Sequence, residues 1–116
     1  IEESRLNYLL AQSKQDYKNI IKSFENESLD FCLIDGKFRE TCATGILDKL
    51  KVGGVLFLDN VNWFIPCEKS KSPDSLKLED GFKSEVWEHF YTITSSWRYI
   101  WTSNSVSDTG IWIKTS

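Results

Sequence analysis

An α/β fold, with a partly parallel sheet closed by a C-terminal antiparallel hairpin, is what this sequence predicts, and three observations carry the prediction. Short apolar runs alternate with amphipathic helical stretches through the first half of the chain. Two of those runs, residues 29–35 and 55–58, lead into an acid and a residue suited to turning the chain, Asp35-Gly36 and Asp59-Asn60. The C-terminal third holds two further runs, residues 98–103 and 110–115, separated by a polar link. Alternation of strand and helix with short connections gives parallel strands joined by right-handed crossovers. Two strands flanking a short polar link pair as a hairpin.

Each element has its own signal. Arg5, Leu6, Asn7, Tyr8, Leu9, Leu10 and Ala11 read as a short, largely buried strand. Ser13 then opens a helix, with Asp16 three residues on to complete a capping box. Tyr17, Ile20, Ile21 and Phe24 recur at helical spacing until the stripe ends near Asn26, and Lys14, Asp16, Lys18, Lys22 and Glu25 read as the solvated face. Residues 29–35 are so nearly continuous in apolar character that they suit a parallel strand buried on both faces. A second amphipathic helix is expected over residues 38–50, with Phe38, Cys42, Ile46, Leu47 and Leu50 facing inward. Lys51, Val52, Gly53 and Gly54 turn the chain into the strand at 55–58. Residues 66–81 hold both prolines and several serines and lysines, which predicts a solvated loop: a lid, or a tolerated surface insertion. Phe82, Val86, Phe90 and Ile93 mark a third helix. Alternation at Tyr99, Trp101 and Ser103, and at Ile111 and Ile113, gives the last two strands one buried face. On that reading Trp87, Trp97, Trp101 and Trp112 are core or dimer contacts.

Composition narrows the function classes. At 116 residues the chain is one domain or a piece of one. A hydrophobic content of 41% beside 27% charged residues supplies a core and argues against disorder. No apolar run approaches the roughly 20 residues that span a bilayer, and the N-terminus does not read as a leader, so a cytoplasmic protein without membrane contact is expected. A net charge of −3 disfavours a nucleic-acid partner, which selects for a basic face. Cys32, Cys42 and Cys67 form no Cys-x-x-Cys motif, and Cys32 and Cys42 fall at apolar positions, as reduced core residues do. The single histidine, His89, lies in a helical stretch with no nucleophile paired to it, which speaks against cysteine or serine nucleophilic chemistry.

Ligands of open parallel sheets bind beyond the carboxyl ends of the strands. That rule selects Gln12-Ser13, Asp35-Gly36-Lys37 and Asp59-Asn60. Each alone has an ordinary explanation, as a helix cap, a turn and a strand-ending turn. Together on one sheet edge they read as a site.

The stretch Leu29-Asp30-Phe31-Cys32-Leu33-Ile34-Asp35-Gly36, followed by Leu50-Lys51-Val52-Gly53-Gly54-Val55-Leu56-Phe57-Leu58-Asp59-Asn60, resembles the fourth and fifth strands of class I S-adenosylmethionine-dependent methyltransferases. The Lys-Val-Gly-Gly turn into Asp59-Asn60, with Trp63 beyond it, is similar to the small-molecule O-methyltransferases of the catechol and caffeoyl-coenzyme A type. Leu10-Ala11-Gln12-Ser13 is similar to their adenine-lining loop. The resemblance implies a Rossmann-like sheet, with residues 1–116 as the C-terminal part of a single domain. The N-terminal strand–helix–strand half, with its glycine loop, would lie before Ile1, since the six glycines here make no Gly-x-Gly. It implies methyl transfer from S-adenosylmethionine to an oxygen, less readily a nitrogen, of a small molecule or sugar. Gln12, Ser13, Asp35, Gly36 and Phe38 would contact the cofactor, and Asp35 and Lys37 would be catalytic. Asp35, Asp59 and Asn60 would supply oxygen ligands to a magnesium ion, which would acidify an acceptor hydroxyl.

Two departures keep alternatives open. The base lysine of the metal-dependent group belongs where Phe38 stands, one residue after Lys37. The run from Asp35 to Cys42 is closer to the Asp-Gly-x-x-Arg-x-x-Cys stretch of bacterial methyltransferase-like proteins, for which no metal is implied. A non-catalytic methyltransferase-like module that binds a partner through an exposed sheet edge, and another α/β nucleotide-binding domain, are the competing readings. Homo-oligomerisation is left open.

Overall fold

The computed structural model describes residues 6–116. Its elements are α1 (Lys14–Ser23), β1 (Leu29–Ile34), α2 (Arg39–Ile46), β2 (Leu50–Asp59), α3 (Glu85–Thr94), β3 (Arg98–Ser103) and β4 (Asp108–Ile113), with short 3-10 turns at Val61–Trp63 and Leu78–Asp80. The four strands make one mixed sheet in the order β1-β2-β4-β3. The β1–β2 pair is parallel, as a crossover through α2 requires, and β4 is antiparallel to both β2 and β3.

The pairing register sorts the side chains into two faces. Ile34, Leu58, Gly110 and Trp101 align across the sheet, as do Cys32, Leu56, Trp112 and Tyr99. This face packs against Ala43, Ile46 and Leu47 at α2 and against Trp87 and Phe90 of α3. The Phe90 ring meets Trp112 edge-on at 5.1 Å, and Trp87 stacks on Phe64 at 4.6 Å. Gly110 is required there, because a Cβ would stand 2.7 Å from the Trp112 ring. Each fully buried large side chain contributes about 1.5–3 kcal/mol, so this single layer carries most of the hydrophobic stability. Lys114, just beyond β4, is buried and donates through Nζ to the carbonyls of Leu47 (2.9 Å) and Leu50 (3.0 Å). It places a cation where α2 ends and its carbonyls lack partners.

The second face, carrying the rows Leu33, Phe57, Ile111, Ile100 and Phe31, Val55, Ile113, Arg98, has no helix on it among the described residues. Phe31 and Leu33 are each 57% exposed, so the expectation that β1 is buried on both faces fails. Apolar character along a strand signals that both faces can be covered. It does not supply the covering element.

Other boundaries also shift. Of the strand expected over residues 5–11, Arg5 lies outside the described residues, and residues 6–11 form no strand. Tyr8 is 87% exposed, because the segment pairs with no strand of the sheet. The second helix stops at Ile46 rather than Leu50. Lys51 to Gly54 belong to β2, forming not a turn but a bulge where the register with β1 slips between Leu29 and Phe31. Gly53 makes this local path possible with φ of 88°, a conformation costly to residues with a Cβ. In α3 the buried positions are Trp87, Phe90 and Thr94, whereas Val86 and Ile93 face outward. The last strand runs from Asp108 and buries Trp112, while Ile111 and Ile113 belong to the uncovered face.

The 66–81 segment is fastened to the body. Asp108 is sealed beneath it, and its carboxylate accepts hydrogen bonds from the hydroxyls of Ser70 and Ser72 and from Trp101 Nε1 (2.7 Å). Asn62 Nδ2 donates to Ser75 Oγ at 3.1 Å, and the Leu76 amide donates to the Asn62 carbonyl at 2.9 Å.

Candidate functional site

The carboxyl ends of β1 and β2 lie side by side, with Ile34 opposite Leu58, so the loops after them open onto one rim. Both loops enter their next turn through a non-glycine residue in the left-handed region: Phe38 (φ 55°) before α2 and Asn60 (φ 55°) before the Val61–Trp63 turn. Strained backbone of this kind persists where surrounding contacts hold it. At Asn60 the Arg39 guanidinium makes those contacts, and the same group ties in Asp35 from the other loop. Its Nη1 donates to the Asp59 carbonyl oxygen (3.3 Å) and to Asn60 Oδ1 (3.2 Å), and its Nη2 donates to Asp35 Oδ1 (3.3 Å). The guanidinium carbon also lies 5.4 Å from the Trp63 ring centre and 6.0 Å from that of Phe64, within cation–π range.

Asp35, Asp59 and Asn60 are thus brought together around one guanidinium. The Asp59 carboxylate faces β4, with Oδ1 3.4 Å from the donating Thr109 hydroxyl, while Asp35 remains half exposed. Among the described residues no cluster of three or more His, Cys, Asp or Glu side chains could hold a metal ion. Of the side-chain oxygens proposed for magnesium, those of Asp35 and Asn60 already receive the Arg39 cation, while the Asp59 carboxylate is turned toward Thr109. A divalent ion placed about 4 Å from the guanidinium would meet roughly 8 kcal/mol of repulsion at an effective dielectric constant near 20. The donor set as arranged fits Arg39 and not a metal.

Gln12 and Ser13 serve α1 as its cap. Ser13 Oγ accepts from the Asp16 amide at 3.1 Å, and the Asp16 carboxylate accepts from the amides of Gln12 (2.9 Å) and Ser13 (3.2 Å). These hydrogen bonds, that from the Gln12 amide foremost, hold the Asp16 carboxyl below its usual range. The side chain that enters the site from this turn is Lys14. It lines a cleft of about 440 Å³ together with Gly36, Phe38, Arg39, Trp63 and Lys83. One turn on, Tyr17 packs against Phe38 with ring centres 5.6 Å apart. Lys37 lies outside this cleft, in a second hollow lined by Tyr17, Asp35 and Cys42. Burial pushes the Cys32 thiol in that hollow up to about 11, with Cys42 nearby adding to the effect, and burial raises Cys42 as well. Neither is a thiolate at neutral pH, so neither is poised as a nucleophile.

Arg39, Lys14 and Lys83 had no role assigned from sequence. Arg39 was visible in the Asp-x-x-x-Arg spacing, which puts both groups within reach, but its bridge to Asn60 depends on two loops meeting in space. The chain matches no protein-family model and no curated protein.

Proposed function

We propose that this chain forms the substrate-side part of a class I methyltransferase fold, transferring a methyl group from S-adenosylmethionine to an oxygen of a small molecule or sugar. The observation that carries the reading is the meeting of Asp35 and Asp59-Asn60 at adjacent carboxyl ends of two parallel strands, held by Arg39. The residues present fit such a cofactor: the Phe38 ring lines the cleft as an aromatic surface, braced by the tilted Tyr17 ring, and nothing stands within 4 Å of where a Gly36 Cβ would be. When bound, the cofactor supplies an electrophilic methyl group. The chain's own part is to seat the acceptor against Trp63 in the cleft and to align its oxygen. Asp35, half exposed on the rim and bonded to Arg39 at the cleft's edge, is the carboxylate assigned to receive the acceptor's proton, and Lys37 lines the neighbouring hollow with it. No step is routed through a metal, because Arg39 takes the Asp35 and Asn60 oxygens that one would need.

The test is a calorimetric titration of S-adenosylhomocysteine into the protein, with any sequence that precedes Ile1 in its parent reading frame included. Saturable binding that weakens about tenfold in Phe38→Ala is expected from loss of the aromatic surface. No binding to the full-length protein removes the reading. A second reading, a partner-binding module, is favoured by the uncovered sheet face, and it is the one that survives that outcome.

A further inference from the structure

Although the chain carries a net charge of −3, six of its fourteen lysines and arginines line one groove and the cleft that continues it. Lys14, Lys18 and Lys22 project at four-residue spacing from α1 into a groove of about 530 Å³ between α1 and α2, and Lys49 stands at its far end. This groove and the cleft at the strand ends share Lys14, Glu40 and Thr41, so the two form one continuous trench that ends at Arg39 and Lys83. Among the described residues no carboxylate lies within ion-pair distance of Lys14, Lys18, Lys22 or Lys83. Two acids also stand on the trench walls: Glu40, engaged by the Ser84 hydroxyl at 3.2 Å, and Asp48, beside Lys49. A row of like charges one helical turn apart destabilises its own helix, which is a cost without return unless an anion lies along it.

Two observations at the inner end point the same way. The buried Arg39 Nε has no acceptor among the described residues. The first turn of α2 also has no side-chain cap, and its residues Arg39, Glu40 and Thr41 all line the cleft.

We propose that the trench binds a small polyanion, a molecule with two or more phosphate or carboxylate groups. The inner group sits between Lys14, Lys83 and Arg39, and the outer ones lie along Lys18 and Lys22. From Lys14 to Lys22 the helix rises about 12 Å, which sets the spread of charge that the ligand must match. Such a molecule is the methyl acceptor, an assignment that rests on the reading above. The binding itself does not.

The experiment is isothermal titration of the protein with tripolyphosphate and, in parallel, with citrate. The stronger of the two identifies phosphate or carboxylate as the recognised group. Saturable binding that weakens between 50 and 200 mM NaCl is expected. The pair Lys18→Gln/Lys22→Gln should lose about tenfold in affinity with its thermal midpoint retained, and Lys51→Gln, whose lysine pairs with Asp30 outside the trench, should lose none. No saturable binding of either anion, or equal losses in the two variants, overturns the proposal. So does tighter binding of a single-stranded oligonucleotide, which would make the ligand a nucleic acid. With the full-length protein used throughout, S-adenosylhomocysteine titrated into the same samples separates the two claims: anion binding without it leaves the trench and removes the methyltransferase, and the reverse outcome removes the trench alone.

Discussion

Asp108 is the residue on which the 66–81 segment depends. It is fully enclosed by its neighbours, yet it lies shallow under one loop. Burial pushes its carboxyl up, but hydrogen bonds from Ser103, Ser70, Ser72 and Trp101 together outweigh that and hold it below the usual carboxylate range. A carboxyl whose folded value is depressed contributes stability above its unfolded value, near pH 4, and that contribution is lost as pH falls through the lower folded value. Asp108→Asn puts an N–H donor among groups that already donate. It should therefore cost about 3 kcal/mol at pH 7, and the gap from wild type should narrow below pH 4. Thermal midpoints across pH 3–8 check this, and a gap independent of pH would contradict it. Sequence alone could not have found Asp108, since an acid beside a hairpin link is ordinary until Ser70 and Ser72 are seen closing over it. Asp35, Asp59 and Asn60 were legible because two apolar runs stop at them on what the strand–helix alternation makes one sheet edge.

At the scale of elements, some local signals were read correctly, while the apolar run at residues 6–11 forms no strand. The capping box at Ser13 and Asp16 opens α1 where the sequence places it, and the apolar runs mark β1 and β2. What failed depends on partners distant in sequence. The bulge at Gly53 stays within β2 because Gly53 and Gly54 exchange backbone hydrogen bonds with Lys114, 61 and 60 positions further on. The inward face of α3 is chosen by Trp87 because Phe64 and Trp112 receive rings there. Helix α1 buries no residue completely and leans on α2 through Ile21 and Gly45, so its first turn depends on the cap. Ser13→Ala should cost about 1 kcal/mol locally and speed amide exchange in the first turn of α1 about fivefold. Because Lys14 is carried by that turn, tripolyphosphate affinity should fall with it. Faster exchange with unchanged affinity would detach the helix from the trench.

For the whole molecule, the decisive asymmetry is that α2 and α3 cover one face of the sheet while the other lies open among the described residues. Four strands about 4.8 Å apart and six residues long at about 3.3 Å per residue give an area near 400 Å². That is as large as the largest apolar patch a monomer usually tolerates, and such patches mark contacts. The rows through Leu33 and Phe57 keep aliphatic and aromatic side chains on this face, with Phe31 and Phe57 packed at 5.2 Å across two strands. Loss of both Leu33 and Phe57 should therefore change what the surface binds more than how the core holds. Leu33→Ser/Phe57→Ser is expected to roughly halve the fluorescence of a bound anilinonaphthalene sulfonate dye while lowering the thermal midpoint by only a few degrees, since the opposite layer of Ile34, Leu56 and Leu58 is untouched. Sedimentation of the wild type should show association rising with concentration, weakened in the same variant. A wild type that takes up no dye and stays monomeric would mean that the open face is already covered within the chain. A variant that unfolds outright would mean that the second face, not the layer under α2 and α3, carries the stability.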